Sequence, residues 1–359
     1  MNSGVVLYSG AESVLKKFQI QDKHSDTAVP CWFRCYCFLK RRYLYYGNIE
    51  CYTDFVKKNY LIASVTFVVI FLSCSTAKCD EADTFSGTID EPAELAIFRS
   101  AYPDVHFKST YDESSADWLI TIDVDSRTAE LYWAGGRFLP AAQLENKDTY
   151  WTLLYHYAYD VPDPANFSAE EIQRIRNFSS PENRQNGAGT PPFFYDVVYD
   201  CATQQSVERH IVRHTFLGKS CNIHKRLQEP LNRVERRIRT LAETDSETAA
   251  FVAELSKTDG YVWRAIRDSS RRSFHSIGIA IDVLPRGWGQ KNLYWAWRRD
   301  IDPDNWMLLP LEKRWMPPQA VIAIFESEGF IWGGKWIIWD NMHFEYHPEL
   351  IAYRAYTER

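Results

Sequence analysis

Two stretches decide the fold: Ser273-Phe-His275-Ser-Ile-Gly278-Ile-Ala280-Ile-Asp282 and, further along, Asp340-Asn-Met-His343-Phe-Glu345. In the first, the isoleucines would line one face of a β-strand, while Gly278, Ala280 and Asp282 line the other. A strand face without bulky side chains allows a close approach to its backbone. The second stretch alternates in the same way, so His343 and Glu345 are expected on one face of a second strand.

The polar residues of these stretches form a predicted zinc site. His275, just before the first strand, can reach back toward Asp282, and His343 completes a His/Asp/His set. Three protein ligands leave the fourth position of a tetrahedral zinc ion to water, which is typical of a catalytic site. Zinc lowers the pKa of such a water to about 7, and a nearby carboxylate can then take its proton. Asp340, three residues before His343, is the candidate base.

Some of these residues have a second interpretation. His347 is a rival ligand because it lies four residues after His343, but that pair would need a helix, which Pro348 argues against. His347 is otherwise expected at the surface. Glu345 is interpreted as a residue that orients a ligand or binds substrate, and Asp340 has the alternative of capping a turn.

The combined motif, Ser-x-His-x-x-Gly-x-Ala-x-Asp followed by Asp-x-x-His, resembles the M15 metallopeptidases. These enzymes cut peptidoglycan peptides as D-Ala-D-Ala carboxypeptidases, dipeptidases or L-Ala-D-Glu endopeptidases. The resemblance covers about residues 223–350 and implies zinc held by His275, Asp282 and His343, with Asp340 as general base. The form of the second stretch is closer to the endopeptidase and VanY-like branches than to the dipeptidases, which leaves the scissile bond open.

Two further residues receive candidate roles. Many M15 members carry an upstream arginine that steadies the oxyanion, and Arg264 in Tyr261-Val-Trp-Arg264 fits that place. The competing interpretation is a surface charge in the arginine-rich segment up to Arg272. Ser273 is assigned either a hydrogen bond near the metal or the substrate, or a role in a local turn.

The N-terminal region carries an export signal. Lys57-Lys58, the apolar run 61–72 and Ser73-Cys74 are typical of a secretory signal of the lipoprotein type, and the run is too short for a comfortable membrane span. Residues 56–74 are therefore predicted to be a signal peptide with lipidation at Cys74, which anchors a periplasmic protein to a membrane. Plain cleavage and an uncleaved anchor stay open, because the lipobox is loose.

The position of this signal affects the interpretation of what precedes it. Since signal peptides belong at the N-terminus, residues 1–55 are interpreted as a mis-assigned extension. The alternative is a cytoplasmic segment before a short membrane anchor. Residues 75–93 are polar and acidic, as in a tether.

Two regions follow the tether: an α+β region of unknown role at 94–222 and the metallopeptidase domain at 223–359. In the first, a short helix starts at Glu94, a capping box at 168–171 opens another helix, and strand patterns predict a meander through 118–124, 129–133 and 137–139. In the second, helices are predicted at 231–241, from Ser246 to Gly260, and after Pro318. The expected fold class is α+β, a small antiparallel sheet with flanking helices and a single zinc site.

The charge and the motifs of the chain indicate which kinds of partner to expect. The net charge of −6 and the interspersed charges do not indicate a nucleic-acid partner, and no nucleotide-binding glycine motif occurs. We expect a monomer that acts on peptidoglycan peptides. Cys201 and Cys221 would be able to form a disulfide in an exported chain, and sequence leaves this pairing open. The tryptophans between 288 and 315 are interpreted as core, with a glycan platform as the alternative.

Three functional hypotheses follow. The first is a zinc peptidase of the M15 type that cuts peptidoglycan stem peptides. The second is a non-catalytic cell-wall-binding lipoprotein that has kept the fold, which a missing ligand or base would support. All four positions are filled, which favours the enzyme. The third is an amidase with the same metal site, which would leave bare glycan.

Overall fold

The computed structural model describes residues 89–358. The predictions for the extension, the signal peptide, Cys74 and most of the tether lie outside these residues. The described residues fall within one compact unit, Gly87–Arg359. Within them, no helix combines the length and apolar character needed to cross a membrane.

The N-terminal part begins with a helix and a three-stranded antiparallel sheet. These elements are α1 Glu94–Ala101, β1 His106–Asp112, β2 Asp117–Val124 and β3 Arg127–Tyr132, with sheet order β1-β2-β3. The meander is confirmed, but its third strand was predicted at the wrong end. Leu139 forms only an isolated bridge with Tyr132, while β1 pairs with residues 117–123 of β2. The strand β1 was missed because it is polar and only half-buried.

Short helices connect this sheet to the rest of the chain. They are α2 Ala169–Ser179, α3 Pro181–Asn186, α4 Phe193–Tyr199 and α5 Gln204–Glu208. The capping box that predicts α2 is confirmed: the Ser168 hydroxyl accepts the Glu171 N–H at 3.2 Å, and the Glu171 carboxylate accepts the Ser168 N–H at 2.8 Å.

The second half starts with a hairpin and two helices: β4 Ile211–Phe216, β5 Lys219–His224, α6 Gln228–Ala242 and α7 Ser246–Glu254. The prediction that the second helix continues to Gly260 is wrong, because residues Leu255–Asp259 form strand β6. Leu255 and Thr258 point into the core, and the backbone of this strand bonds to its neighbour in the sheet. Tertiary pairing therefore overrides the local helical pattern.

A four-stranded antiparallel sheet carries the two deciding stretches. Its remaining strands are β7 Ala280–Pro285, β8 Phe330–Trp332 and β9 His343–Tyr346, and its order is β6-β7-β9-β8. Helices α8 Trp295–Ile301, α9 Gln319–Ser327 and α10 Pro348–Thr357 complete the described chain. Since β7 and β9 are neighbours, Asp282 lies directly opposite His343 and Ala280 opposite Glu345. The α+β class and the small antiparallel sheets agree with the sequence prediction.

One hydrophobic core joins residues from both sides of position 223. Phe98 and Phe194 from the N-terminal part belong to the same buried cluster as Ile281 and Phe344 from the sheet, and α1 packs against α10. The boundary between 222 and 223 stays a prediction about sequence organisation. Cys201 and Cys221 are both buried as free thiols and are not joined to each other.

Candidate metal centre

His275 is positioned by a single turn of 3-10 helix, Phe274–Ser276. Ser273 caps this turn: its hydroxyl accepts the His275 N–H at 3.3 Å, while the Ser276 hydroxyl donates to the Ser273 carbonyl at 2.6 Å. Of the two roles considered for Ser273, these contacts are those of the local turn. The turn points the imidazole at Asp282.

Gly278 is needed for packing. Its φ is +78°, and a Cβ at this position would lie 2.8 Å from the His224 amide nitrogen and 2.7 Å from Ile211 Cδ1. The Gly278 carbonyl accepts the His224 N–H at 2.9 Å. The close approach that the sequence predicts at Gly278 is therefore made by the end of β5. The metal strand itself starts only at Ala280.

Three donor atoms converge at the predicted zinc site. His275, Asp282 and His343 are all buried, and one ligand atom from each lies within 4.8 Å of the others. His275 Nε2 is 3.2 Å from His343 Nδ1 and 3.3 Å from Asp282 Oδ2. Ligands about 2.0–2.1 Å from a tetrahedral zinc ion are separated by about 3.3 Å. The donor set and its spacing therefore fit zinc with little movement.

The remaining ring nitrogens are held in place. His275 Nδ1 donates to the Gly260 carbonyl at 2.6 Å, which leaves Nε2 to face the site. His343 Nε2 donates to Glu345 Oε1 at 2.8 Å, which leaves Nδ1 to face Asp282 at 2.7 Å. Such outer partners set the tautomer and the orientation of a metal-binding imidazole. The contact between Glu345 and His343 is the one that the predicted orienting role of Glu345 requires, and the role itself stays a prediction.

Asp282 and His343 shift each other's pKa. Burial lowers the pKa of His343, but its hydrogen bonds and charge interactions with Asp282 and Glu345 outweigh burial and raise that pKa well above the ordinary value. Burial raises the pKa of Asp282, but the two histidines outweigh it and hold the pKa well below the usual range. Without metal, the carboxylates of Asp282 and Glu345 thus favour the protonated form of His343.

Asp340 lies beside the centre as a carboxyl without a fixed partner. Its side chain is half-buried, and its Oδ1 is buried without a hydrogen-bond partner among the described residues. Burial, together with the charges of Asp282 and Glu345, raises its pKa to about 8, although His343 and Arg264 act in the opposite direction. A carboxyl of this kind can accept and return a proton near neutral pH.

Arg264 is exposed and lies near enough to lower the pKa of Asp340. Within residues 89–358 its hydrogen bond is to the carbonyl of the adjacent Ala265, at 3.4 Å. The guanidinium is therefore available to a ligand, and its role in the site stays a prediction. In the segment between the two stretches, Trp295 and Trp306 are buried in a small core, while Trp288 is 38% exposed.

His347 was predicted to lie at the surface, and this is wrong. It is 3% exposed and lies behind Glu345, with Nε2 3.1 Å from Glu345 Oε2 and Nδ1 2.8 Å from Glu349 Oε1. Burial lowers its pKa, but Glu349 and Glu345 outweigh burial and raise it to about 9. The sequence prediction did not include Glu349. Its place two residues after His347 is the one feature of the sequence that hints at their contact.

Comparisons with known proteins agree with the central part of this site. Residues 267–346 match a family model described as D-alanyl-D-alanine carboxypeptidase, of the M15 peptidases. Residues 94–154 match a model described as a domain of unknown function. Neither the curated proteins nor the solved structures yielded a match to this chain.

Proposed function

We propose that this chain is a peptidase that hydrolyses peptidoglycan stem peptides with a zinc ion, and the match of residues 267–346 to an M15 peptidase model supports this. The bond would be that of a D-Ala-D-Ala carboxypeptidase or an L-Ala-D-Glu endopeptidase. The observation that carries the proposal is the convergence of His275, Asp282 and His343 beside the unpartnered carboxyl oxygen of Asp340.

His275, Asp282 and His343 would hold the metal. A bound zinc ion supplies Lewis-acid chemistry, because it lowers the pKa of water and polarises a carbonyl group. The chain supplies ligand atoms that are already oriented: the Gly260 carbonyl fixes one imidazole and Glu345 the other. Binding through His343 Nδ1 requires that this nitrogen lose its proton to solvent.

Asp340 would act as the general base and then as the general acid. Its unpartnered Oδ1 can accept a proton from the attacking water, and the same carboxyl can deliver it to the leaving amine. Arg264 would bind the developing oxyanion or the carboxylate of the substrate, because its guanidinium is exposed and lies near Asp340. Both roles are proposals that rest on position and charge.

The test compares the unmodified chain with Asp340→Asn. Zinc content is measured for both proteins, and both are incubated with purified peptidoglycan while released amino groups are counted. We expect stoichiometric zinc in both and a fall in turnover of about 10²–10⁴-fold in the variant. Mass analysis of the products identifies the bond that is cut.

The matched control is Asp302→Asn, which changes an acid that serves Arg298 and Asn305 instead. It should keep both zinc and turnover. Zinc without turnover on any wall peptide would favour the non-catalytic binding protein, and bare glycan as product would identify an amidase. Absence of zinc in the unmodified chain would overturn the proposal.

Export and anchoring complete the proposed setting. The signal pattern at 56–74 supports a periplasmic lipoprotein with its lipid on Cys74, where peptidoglycan is within reach. Mass measurement of the mature N-terminus tests this part separately. A chain that begins at an acylated Cys74 would support it, and a soluble chain that keeps residues 1–73 would contradict it.

A further inference from the structure

A buried chain of hydrogen bonds continues outward from the metal centre. Glu345 uses one carboxylate oxygen for His343 Nε2 and the other for His347 Nε2, at 2.8 and 3.1 Å. His347 in turn gives its Nδ1 to Glu349 Oε1 at 2.8 Å. Each histidine has both nitrogens engaged and each carboxylate both oxygens. The orientation of every member therefore depends on the next one.

Glu349 ends this chain as a fully buried carboxylate, with 0% exposure. It lies in the first turn of α10, where the helix dipole favours a negative charge. Besides His347, two tyrosine hydroxyls donate hydrogen bonds to its oxygens. The Tyr102 hydroxyl donates to Oε2 at 2.7 Å, and the Tyr195 hydroxyl donates to Oε1 at 3.0 Å. Both tyrosines are almost completely buried.

The two tyrosines come from a distant part of the sequence. Tyr102 directly follows α1, inside the segment that matches a domain of unknown function, and Tyr195 belongs to α4. They lie 247 and 154 residues before Glu349. The region 94–222 thus reaches the outer shells of the metal centre through specific hydrogen bonds as well as through the shared core.

We propose that Tyr102 and Tyr195 are positioning residues of the metal centre, which act through Glu349, His347 and Glu345 to hold the His343 ring in its ligating orientation. The inference rests on the proposed zinc site. It assigns to the N-terminal region the task of completing that site. Removal of the Tyr102 hydroxyl frees Glu349 Oε2, and removal of the Tyr195 hydroxyl leaves Oε1 held by His347 Nδ1 alone. Without both hydroxyls Glu349 can rotate, and His347 loses its fixed partner. The ring of His343 would then be held less tightly, and outer-shell changes of this kind weaken metal binding.

The experiment measures zinc affinity, with zinc alone as the probe, by competition against a chromophoric chelator. The variants are Tyr102→Phe, Tyr195→Phe and the double variant in the full chain. The matched control is Tyr157→Phe, because the buried Tyr157 hydroxyl serves Glu326 and the Trp332 N–H, outside this hydrogen-bond chain. The thermal midpoint of each metal-free protein shows how far each change affects the fold as a whole.

We expect the double variant to bind zinc about 10-fold more weakly than the unmodified chain. The Tyr157→Phe control should keep full zinc affinity, even if its thermal midpoint falls as far as that of the double variant. Equal affinities in the double variant and the unmodified chain would overturn the inference. So would a loss of affinity in the control as large as that in the double variant, because affinity would then follow global stability.

Glu349→Gln provides a second route if the double variant does not fold. This change keeps the shape of the side chain but replaces one acceptor oxygen with a donor group facing the tyrosines or His347. Cobalt(II) titration reports ligand geometry by visible absorption, and we expect altered tetrahedral bands. Unaltered bands would contradict the inference. Failure of the unmodified chain to bind either metal would refute the zinc site itself, whereas tight zinc without peptidase activity would refute only the proposed reaction.

Discussion

Substitution of Gly278 by alanine should disturb the point where the chain just before the metal strand crosses the end of β5. The residue has φ of +78°, and the added Cβ would lie 2.8 Å from the His224 amide nitrogen. That atom belongs to the backbone and bonds to the Gly278 carbonyl, so it cannot move aside as a flexible side chain would. The turn that carries His275 ends just before this residue.

Two terms determine the size of the effect. An alanine at positive φ costs about 1–2 kcal/mol. Forcing a methyl group against packed backbone costs a further amount of about 1–3 kcal/mol. The sum is about 2–5 kcal/mol in the free energy of unfolding. Gly287 separates the terms, because it also has positive φ, +68°, but nothing lies within 4 Å of the position that an added methyl group would take, so only the first term applies there.

Thermal and urea unfolding of the metal-free protein, followed by far-UV circular dichroism, measure both variants. Each kcal/mol lowers the midpoint by about 2–4 °C in a chain of this size. Because the two variants differ only by the packing term of about 1–3 kcal/mol, we expect Gly278→Ala to melt about 2–12 °C below Gly287→Ala. Equal midpoints for the two variants would show that the crossing is not close-packed, and the explanation given for Gly278 would be wrong.

Three further predictions concern the site and its surroundings. Zinc affinity should fall about tenfold for each pH unit below neutrality, because zinc displaces a proton from the His343 imidazolium, whose pKa is raised. Calorimetry in buffers of different ionisation enthalpy counts the protons released on zinc binding. If no proton is released, His343 is not protonated in the metal-free protein. Lys335→Met should cost about 3 kcal/mol in urea unfolding, because it removes the 2.6 Å partner of the buried Glu326 carboxylate; an unchanged midpoint would show that other contacts suffice. Arg264→Ala should lower turnover by about 10²-fold with zinc content unchanged if Arg264 binds the oxyanion, and full turnover would leave it a surface charge.

The grouping of His275, Asp282 and His343 could be predicted because local rules place most of it. Strict alternation fixes which side chains share a face of a strand, so Asp282 and, separately, His343 and Glu345 follow from spacing alone. The capping box of α2 is equally local, since Ser168 and Glu171 satisfy each other within one turn. For residues of these kinds, the local sequence pattern is enough to predict the structure.

The outer part of the site was not predictable in this way. Pro348 correctly excludes the helical pairing of His347 with His343, yet nothing adjacent in sequence shows that His347 is buried against Glu345. The His347 ring packs against Tyr195 and Phe274, which come from other parts of the chain. Strand β6 was missed for the same reason, because it is defined by a contact distant in sequence. Only its pairing with β7 shows that these residues do not continue helix α7.

The proposed catalytic residues and the residues that orient them lie in different parts of the chain. Residues 267–346 contain every proposed ligand and the proposed base. They do not contain Gly260, which fixes His275, or Glu349 with its two tyrosines, which lie behind His343. Both imidazoles are therefore oriented with the help of residues outside the matched segment. A chain cut down to that segment would keep its donors but lose their preorganisation, which metal-site geometry requires. The proposed metal centre would therefore depend on the N-terminal region for the orientation of His343.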